Sequence, residues 1–362
     1  MGPSKPKSNY FVSDLSLSNS NSHTVEREMA PSSLVRYSRW ISRFKFPYSQ
    51  NNLFPSPPPF SSTTTAGLHN ADSVTPGGPP PIRVSLTDSA GRGVFATRKI
   101  GAGELIHTAK PLVAHPTLSA VHRVCNFCLG KLRNANAKSE AHRGSFCGEE
   151  CERHSKVFYD VEMEADWSGY DNYCRGRGLK YPLLVKRLAC MVISGAISSD
   201  LLDILQPSSL YPHMILEFEE GYSLLRTALA KANITDERML FLTQEWYNGV
   251  LARIRINAFR IELAGGYEDL RSAAAACVEA EAAIGNAVYM LPSFYNHDCD
   301  PNTHIIWINN ANARLKALRD VEPDEELRIC YIDTSMDHGA RQSVLSQGFG
   351  FICNCVRCSA GD

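Results

Sequence analysis

Short runs of alternating or continuous apolar residues lie between residues 82 and 107 and again between residues 305 and 332. Such runs, bounded by turn residues, are typical of β-strands. Glycine turns at 91–93 and 101–103 separate the first runs, and frequent turns of this kind favour small β-sheets. The sequence therefore predicts strands at residues 82–86, 94–96, 105–107, 305–308, 314–318 and 327–332.

The middle of the chain has the apolar spacing of amphipathic helices instead. Apolar residues recur every three or four positions at 181–205, 212–231 and 236–256. The sequence therefore predicts a helical insert, residues 160–255, within a β framework, and so an α+β fold.

Residues 1–80 are rich in Ser, Asn and Pro and bury too few apolar side chains to offset the entropy of ordering, so we expect disorder. No acidic residue occurs from Met29 to Ala71, and there apolar and Arg residues fall on opposite helical faces. Such a segment is typical of a mitochondrial or plastid transit peptide. The alternative is a basic tail without a targeting role.

Composition excludes several broad classes of protein. Hydrophobic residues make up 44% and charged residues 21% of the chain, which supports a packed core. The formal net charge of -1 argues against broad binding of phosphates, so we expect no direct sequence-specific nucleic-acid partner. No apolar run reaches the length of about 18 residues that a membrane span needs, so we expect no membrane partner.

Most of the 12 cysteines fall into groups with the spacing of zinc ligands rather than of a disulfide framework. One group, C-x2-C followed by C-x3-C, is a complete four-thiolate set, with His154 as an alternative ligand. Its cysteines are Cys125, Cys128, Cys147 and Cys151. We predict a structural zinc here and a reducing compartment for the protein.

A second cysteine group lies near the end of the sequence, at C-x-C-x2-C spacing, and consists of Cys353, Cys355 and Cys358. Tetrahedral zinc needs four ligands, and Cys299, within the polar heptapeptide NHDCDPN, is the predicted fourth. About two zinc ions are therefore expected. The second zinc would pin the tail over the heptapeptide and make Asn296 and His297 the walls of a covered pocket.

Three features leave alternatives open. GRGVFA at 91–96 fits a dinucleotide-binding pattern, but no helix is predicted after it, so a glycine turn near a ligand or a plain hairpin turn remains. Tyr331 lies in an apolar run and is either a core residue or a functional one. His297 is either a general base or a hydrogen-bonded structural histidine.

The sequence resembles SET-domain protein-lysine methyltransferases. The resemblance rests on GRGVF, NHDCDPN, EELRICYID and the CNCVRC tail, which span residues 82–358 in the family's order. The first cysteine group resembles the zinc segment of the SET-and-MYND subgroup. A full MYND finger has seven cysteines and a histidine, so this shorter set implies a single zinc. Plant trithorax-related SET proteins are the most similar subgroup.

The resemblance implies a SET fold, which is a knotted arrangement of small β-sheets. The SET domain would occupy residues 81–335 and be split by a reduced MYND-like zinc segment, 122–160, and by the helical insert. A cysteine-rich post-SET tail, 336–362, would follow.

The resemblance also implies the site. Tyr331 would be the catalytic tyrosine at the methyl-transfer end of a lysine channel, and Phe351 would stack on the cofactor's adenine. Phe349 stands where related enzymes often carry a second tyrosine, which leaves more room for a methylated lysine. Residues implied to bind S-adenosyl-L-methionine are Gly91, Arg92, Gly93, Asn257, Asn296, His297, Tyr331, Phe349 and Phe351.

The expected function is S-adenosylmethionine-dependent methylation of a protein lysine, with histone lysines as the first substrate. The expected partner is thus a protein with an exposed lysine, either a histone tail or a non-histone protein. One alternative is a zinc-binding scaffold with a weak or inactive site, and another is a methyltransferase of a non-histone organellar protein. The resemblance favours the nucleus, whereas the N-terminal segment favours a mitochondrion or plastid.

Overall fold

A computed structural model describes residues 79–132, 145–264 and 283–362. The segment with the predicted disorder and targeting signal lies outside these ranges, apart from residues 79 and 80. Within the described ranges, no helix combines the length and apolarity that a membrane span requires.

The β-strands are short and lie on both sides of a helical block. They are β1 (Ile82–Leu86), β2 (Arg92–Ala96), β3 (Leu105–Ala109), β4 (Val113–Pro116), β5 (Ala258–Ile261), β6 (Gly285–Val288), β7 (Asn296–His297), β8 (Thr303–Ile306), β9 (Ala313–Ala317) and β10 (Glu326–Ile329). The α-helices are α1 (Glu149–Ser155), α2 (Tyr159–Glu164), α3 (Ser168–Gly176), α4 (Tyr181–Ile193), α5 (Pro212–Lys231), α6 (Gln244–Asn257), α7 (His338–Phe349) and α8 (Val356–Ser359).

The strands form three small sheets, in the orders β1-β2-β10-β7, β3-β9-β8 and β4-β6-β5. All neighbouring strands in these sheets are antiparallel except β7 and β10, which are parallel. The predicted α+β class, with small sheets around a helical insert, is confirmed.

Several predicted boundaries are shifted. The helix predicted at 181–205 ends at Ile193, because Gly195 takes a positive φ of 77° and its N–H bonds back to the Val192 carbonyl. Strand β2 begins at Arg92, so only Gly91 of the three glycine-turn residues precedes it. The strand predicted at 327–332 ends at Ile329, which leaves Tyr331 in the turn that follows.

Arg187 ties the helical insert to the rest of the fold. The residue lies on α4 and is only 1% exposed. Its guanidinium donates to Glu162 on α2 (2.9 Å), to the Ala114 carbonyl on β4 (2.6 Å) and to the Asn126 carbonyl in the zinc segment (2.8 Å). A buried charge is tolerated only when it is paired and hydrogen-bonded in this way. The zinc segment is thereby attached to the same core as the strands.

The helical insert is held together by buried tyrosines around Gly221 on α5. The Tyr170 hydroxyl donates to the Pro182 carbonyl at 2.9 Å and lies 3.1 Å from the Tyr247 hydroxyl. A Cβ atom at Gly221 would lie 2.5 Å from the Tyr247 hydroxyl and 3.1 Å from Tyr173 Cε1. The insert therefore packs with no room for a side chain at this position.

We expect Gly221→Ala to lower the free energy of unfolding by about 1–3 kcal/mol, because the added methyl group overpacks the tyrosine cluster. Chemical denaturation measures the change. Gly249→Ala on α6 is the matched control, since its Cβ would meet only the end of the Arg253 side chain, at 3.4 Å. Equal stability of the two variants would contradict the packing described for Gly221.

Candidate active site and metal centres

Strand β10 brings the predicted site segments together. On one side, Glu326 and Leu327 pair with β2, which follows the Gly91 turn. On the other side, β10 runs parallel to β7, so that Ile329 lies opposite His297. Tyr331 leaves the end of β10 next to His297, and the glycine turn, the Asn-His pair and the tyrosine therefore share one sheet.

Asn296 connects β7 to the glycine segment. Its side-chain Nδ2 donates to the Arg92 carbonyl at 3.1 Å and to Glu326 Oε1 at 2.7 Å. A Cβ atom at Gly93 would lie 2.6 Å from Glu326 Oε1 and 3.2 Å from Asn296 Nδ2. Glycine at 93 is therefore required by close approach, whereas Gly91 is favoured by its positive φ of 72°.

His297 uses both ring nitrogens. Burial lowers the pKa of His297 to about 4, so the ring is neutral at neutral pH. Its Nδ1 accepts the Tyr331 backbone N–H at 3.1 Å, so the single ring proton is on Nε2, which lies 3.2 Å from Cys299 Sγ. Of the two alternatives for His297, this arrangement favours the hydrogen-bonded structural histidine.

The Tyr331 hydroxyl points to a fixed acceptor. It donates to the Tyr295 carbonyl at 2.6 Å, and burial raises the pKa of Tyr331 above its ordinary value. The phenol is therefore protonated at neutral pH. Its ring centroid lies 5.2 Å from that of His297 and 5.1 Å from that of Phe349.

The C-terminal tail covers this cluster with two half-buried phenylalanines. Helix α7 ends at Phe349, and Gly350, with a φ of 82°, turns the chain so that Phe351 lies 5.8 Å from the His297 ring and 6.4 Å from the Tyr331 ring. The tail thus places Phe351 against His297 and Phe349 against Tyr331.

Asn257 lies apart from these contacts and belongs to the end of α6 rather than to a strand. Its Nδ2 donates to the Gln206 carbonyl at 2.9 Å and to the Arg253 carbonyl at 2.7 Å. The Arg92 guanidinium donates to the carbonyl of Ile204, two residues before Gln206, and lies over the Phe294 ring at 4.9 Å. Asn257 and the glycine turn are therefore connected through residues 204–206.

The tail cysteines and Cys299 form a group whose sulfur atoms all lie within 4.8 Å of one another. The Cys299 sulfur is 3.6 Å from that of Cys358 and 4.0 Å from that of Cys353. Zinc–sulfur bonds of about 2.3 Å in a tetrahedron put sulfurs about 3.8 Å apart, so the set fits zinc. Fully buried Arg341 lies 3.8 Å from the Cys358 sulfur and offsets the thiolate charge.

The first cysteine group is also brought together, with Cys147 Sγ 3.6 Å from Cys128 Sγ and 3.4 Å from Cys151 Sγ. His154 packs against the Phe127 ring, with centroids 5.8 Å apart, and is not part of the group. The alternative in which His154 replaces a thiolate is therefore not supported.

Three polar residues of the site were not among the sequence predictions: Glu326, Tyr295 and His107. Glu326 holds the Asn296 amide, Tyr295 supplies the carbonyl for Tyr331, and His107 Nε2 lies 3.0 Å from the Tyr295 hydroxyl. Glu326 lies within the EELRICYID motif and Tyr295 directly precedes NHDCDPN, so the motifs could have pointed to both. His107 has no such signal, because only the tertiary fold brings β3 to this position.

Comparison with known proteins supports the same family. The SET domain family model matches residues 91–332. Histone-lysine N-methyltransferase ATXR4 from Arabidopsis thaliana is 59% identical over 336 residues, which is 92% of this chain and the full length of that protein. Histone-lysine N-methyltransferase SMYD3 from Homo sapiens is 26% identical over 78% of this chain and 63% of its own length.

Among solved structures, the chain is similar to the SET domain of LSMT bound to lysine and AdoHcy, with 16% identity, a TM-score of 0.32, and coverage of 76% of this chain and 53% of that one. The extent of the family match and the identity to the Arabidopsis protein decide the classification. The chain belongs to the SET domain family, and to the part of it that includes a plant trithorax-related protein.

Proposed function

We propose that this protein is an S-adenosyl-L-methionine-dependent protein-lysine N-methyltransferase with Tyr331 as its catalytic tyrosine and a histone lysine as its first candidate substrate. The observation that carries the proposal is the hydroxyl of the half-buried Tyr331, which donates to the Tyr295 carbonyl beside His297. The Arabidopsis relative, named a histone-lysine N-methyltransferase, supports the substrate class.

Methyl transfer to an amine is an in-line displacement, so positioning and electrostatics supply most of the rate enhancement. S-adenosylmethionine supplies the methyl group from its sulfonium. Because the Tyr331 hydroxyl donates its proton to the Tyr295 carbonyl, its oxygen keeps lone pairs for other partners. Tyr331 would use these lone pairs to orient the attacking lysine amine.

The lysine must lose a proton before its nitrogen can attack. An apolar channel disfavours the ammonium form and lowers a lysine pKa. The Tyr331 ring lies 5.1 Å from the Phe349 ring and 6.4 Å from the Phe351 ring, between centroids. These three rings would exclude water there. The absence of a second tyrosine hydroxyl at Phe349 is proposed to leave space for a methylated amine.

We propose that the glycine segment and the Asn296 amide, which donates to the Arg92 carbonyl, form a cradle for the cofactor. Asn296 and His297 would hold its amino-acid and adenine portions, and Phe351 would stack on the adenine. The remaining residues proposed to bind the cofactor are Gly91, Arg92, Gly93, Asn257, Tyr331 and Phe349.

We expect Gly93→Ala to weaken S-adenosylmethionine binding by about 10-fold or more, the scale of about 1–3 kcal/mol for overpacking. The new Cβ would displace Glu326 and the Asn296 amide that it holds. Isothermal calorimetry measures the affinity. In Gly101→Ala, the control, the added Cβ would meet only Glu104 Oε2, at 4.0 Å, so binding should stay unchanged. Unchanged binding by both variants would argue against the cradle.

A tritium-methyl transfer screen tests the function. Zinc-loaded protein and labelled S-adenosylmethionine are incubated with purified histones and, in a parallel reaction, with an organelle extract. Transfer to histone lysines supports the proposal, while transfer only to the extract supports an organellar substrate. Absence of S-adenosylmethionine binding by zinc-loaded protein would favour the scaffold alternative.

The compartment follows from the substrate. A histone substrate, as the name of the Arabidopsis relative suggests, would place the protein in the nucleus. The N-terminal segment carries the competing expectation of a mitochondrion or plastid. A fluorescent fusion without residues 1–80 separates the two, because a change of compartment relative to the full chain would support the targeting signal.

A further inference from the structure

We propose that His107 is a positioning residue for methyl transfer, acting through the Tyr295 side chain to hold the Tyr295 carbonyl against the Tyr331 hydroxyl. The inference rests on the proposed function, since it assigns a role within that reaction. His107 would not touch the substrate or the cofactor itself.

His107 and Tyr295 form a buried polar pair between two sheets. His107 belongs to β3 and is 8% exposed, while Tyr295 immediately precedes β7 and is 0% exposed. Their polar atoms, Nε2 and Oη, are 3.0 Å apart, and their ring centroids are 5.9 Å apart. The pair therefore joins the β3-β9-β8 sheet to the sheet that carries the site.

Both members of the pair are uncharged at neutral pH. Burial lowers the pKa of His107 to about 4, and burial raises the pKa of Tyr295 above its ordinary value. The contact is thus a neutral hydrogen bond in a dry environment. If one partner is removed, the other is left buried without a bond, which is unfavourable. We then expect the Tyr295 side chain to shift.

Movement of Tyr295 would be transmitted to the active site through its own peptide group. The same residue bonds His107 through its side chain and accepts the Tyr331 hydroxyl through its carbonyl. Its ring is fully enclosed, so a displacement of the ring would be passed to the atoms packed against it and to its own backbone. The direction of this carbonyl sets the direction of the Tyr331 O–H bond and of the lone pairs that remain for the substrate amine.

Small displacements at a reacting centre have large kinetic effects, since a misplacement of about 1 Å can cost about 100-fold in rate. We expect His107→Phe to lower kcat by about 10-fold, which is less than that 100-fold loss. KM for S-adenosylmethionine should change little. His107→Gln, whose amide oxygen can reach the former Nε2 position and accept from the Tyr295 hydroxyl, should recover most of the lost kcat.

Tyr170→Phe is the matched control. It removes one buried hydroxyl, which donates to the Pro182 carbonyl and lies 3.1 Å from the Tyr247 hydroxyl, within the helical insert. This variant should lose thermal stability as His107→Phe does but should keep wild-type kcat. A kcat of His107→Phe equal to that of wild type, or a loss that His107→Gln does not reverse, would overturn the proposal.

A crystal structure of His107→Phe provides a readout that does not depend on activity. We expect the distance from the Tyr331 hydroxyl to the Tyr295 carbonyl to lengthen from 2.6 Å beyond hydrogen-bonding range. Retention of that bond in the variant would reject the positioning role, whatever the activity. If wild-type protein transfers no methyl group to any substrate, the proposed function fails instead, and the crystallographic distance still decides whether His107 positions Tyr331.

Discussion

Tyr331→Phe is expected to lower turnover by about 10- to 1000-fold, the scale of losing one preorganised polar group at a reacting centre. The substitution removes the hydroxyl that donates to the Tyr295 carbonyl but keeps the ring, which packs against His297 and Phe349. Cofactor affinity should therefore stay close to that of wild type. Single-turnover methyl transfer measures the rate, and calorimetry measures the affinity.

Tyr173→Phe controls for the loss of a buried hydroxyl as such. The Tyr173 hydroxyl donates to the Glu217 carbonyl at 2.8 Å, so the bond is of the same kind but lies in the helical insert. We expect normal turnover from this variant. Wild-type turnover by Tyr331→Phe would reject the catalytic assignment, and an equal loss in both variants would attribute the effect to stability.

Loss of the tail zinc is expected to cost both stability and cofactor binding, and Cys355→Ser should produce it. Structural zinc contributes about 10–16 kcal/mol of apparent binding energy in small zinc peptides, so a missing ligand has a large effect. Without the metal, the bonds that join Cys299 to the tail cysteines are lost, and Phe349 and Phe351 lose their position against Tyr331 and His297. Metal analysis should show one zinc per chain fewer than in wild type.

The other cysteine group supplies the control for this variant. Cys128→Ser should also remove one zinc, but from a site attached to β4 and α4 through Arg187 and Asn126 rather than to the tail. Its S-adenosylmethionine affinity, measured by calorimetry at a temperature where the protein is folded, should resemble that of wild type. If Cys355→Ser bound the cofactor normally, the proposed link between zinc and cofactor would be wrong.

Some of the site was predictable because a physical requirement links distant residues. Four ligands are needed around a structural zinc, so the three tail cysteines require a fourth ligand, and Cys299 is the one that the structure brings to them. The other site residues were predicted from the family resemblance, because the motifs occur in the family's order. The ligand count of zinc and the order of the motifs can both be read from residue types and spacing, without knowledge of the fold between them.

Other parts depend on tertiary geometry that leaves no local pattern. The bond from Asn296 to Glu326 exists because β7 and β10 run parallel in one particular register, and a shift by one residue would separate them. The contact of His107 with Tyr295 likewise requires two sheets to meet. The overlong helix prediction at 181–205 arose because apolar spacing continues past Gly195, where the backbone leaves the helix.

The parallel pairing of β7 with β10 has a consequence for folding of the chain during its synthesis. Strand β7 contains only two residues, its neighbour β10 is made 30 positions later, and Cys299 meets its metal partners only when residues 353–358 emerge. Contacts of such sequence separation form late and slowly. Nascent chains would therefore carry an open, inactive pocket until residues 353–358 have emerged from the ribosome, and chains that end before Cys358 would lack a complete zinc site.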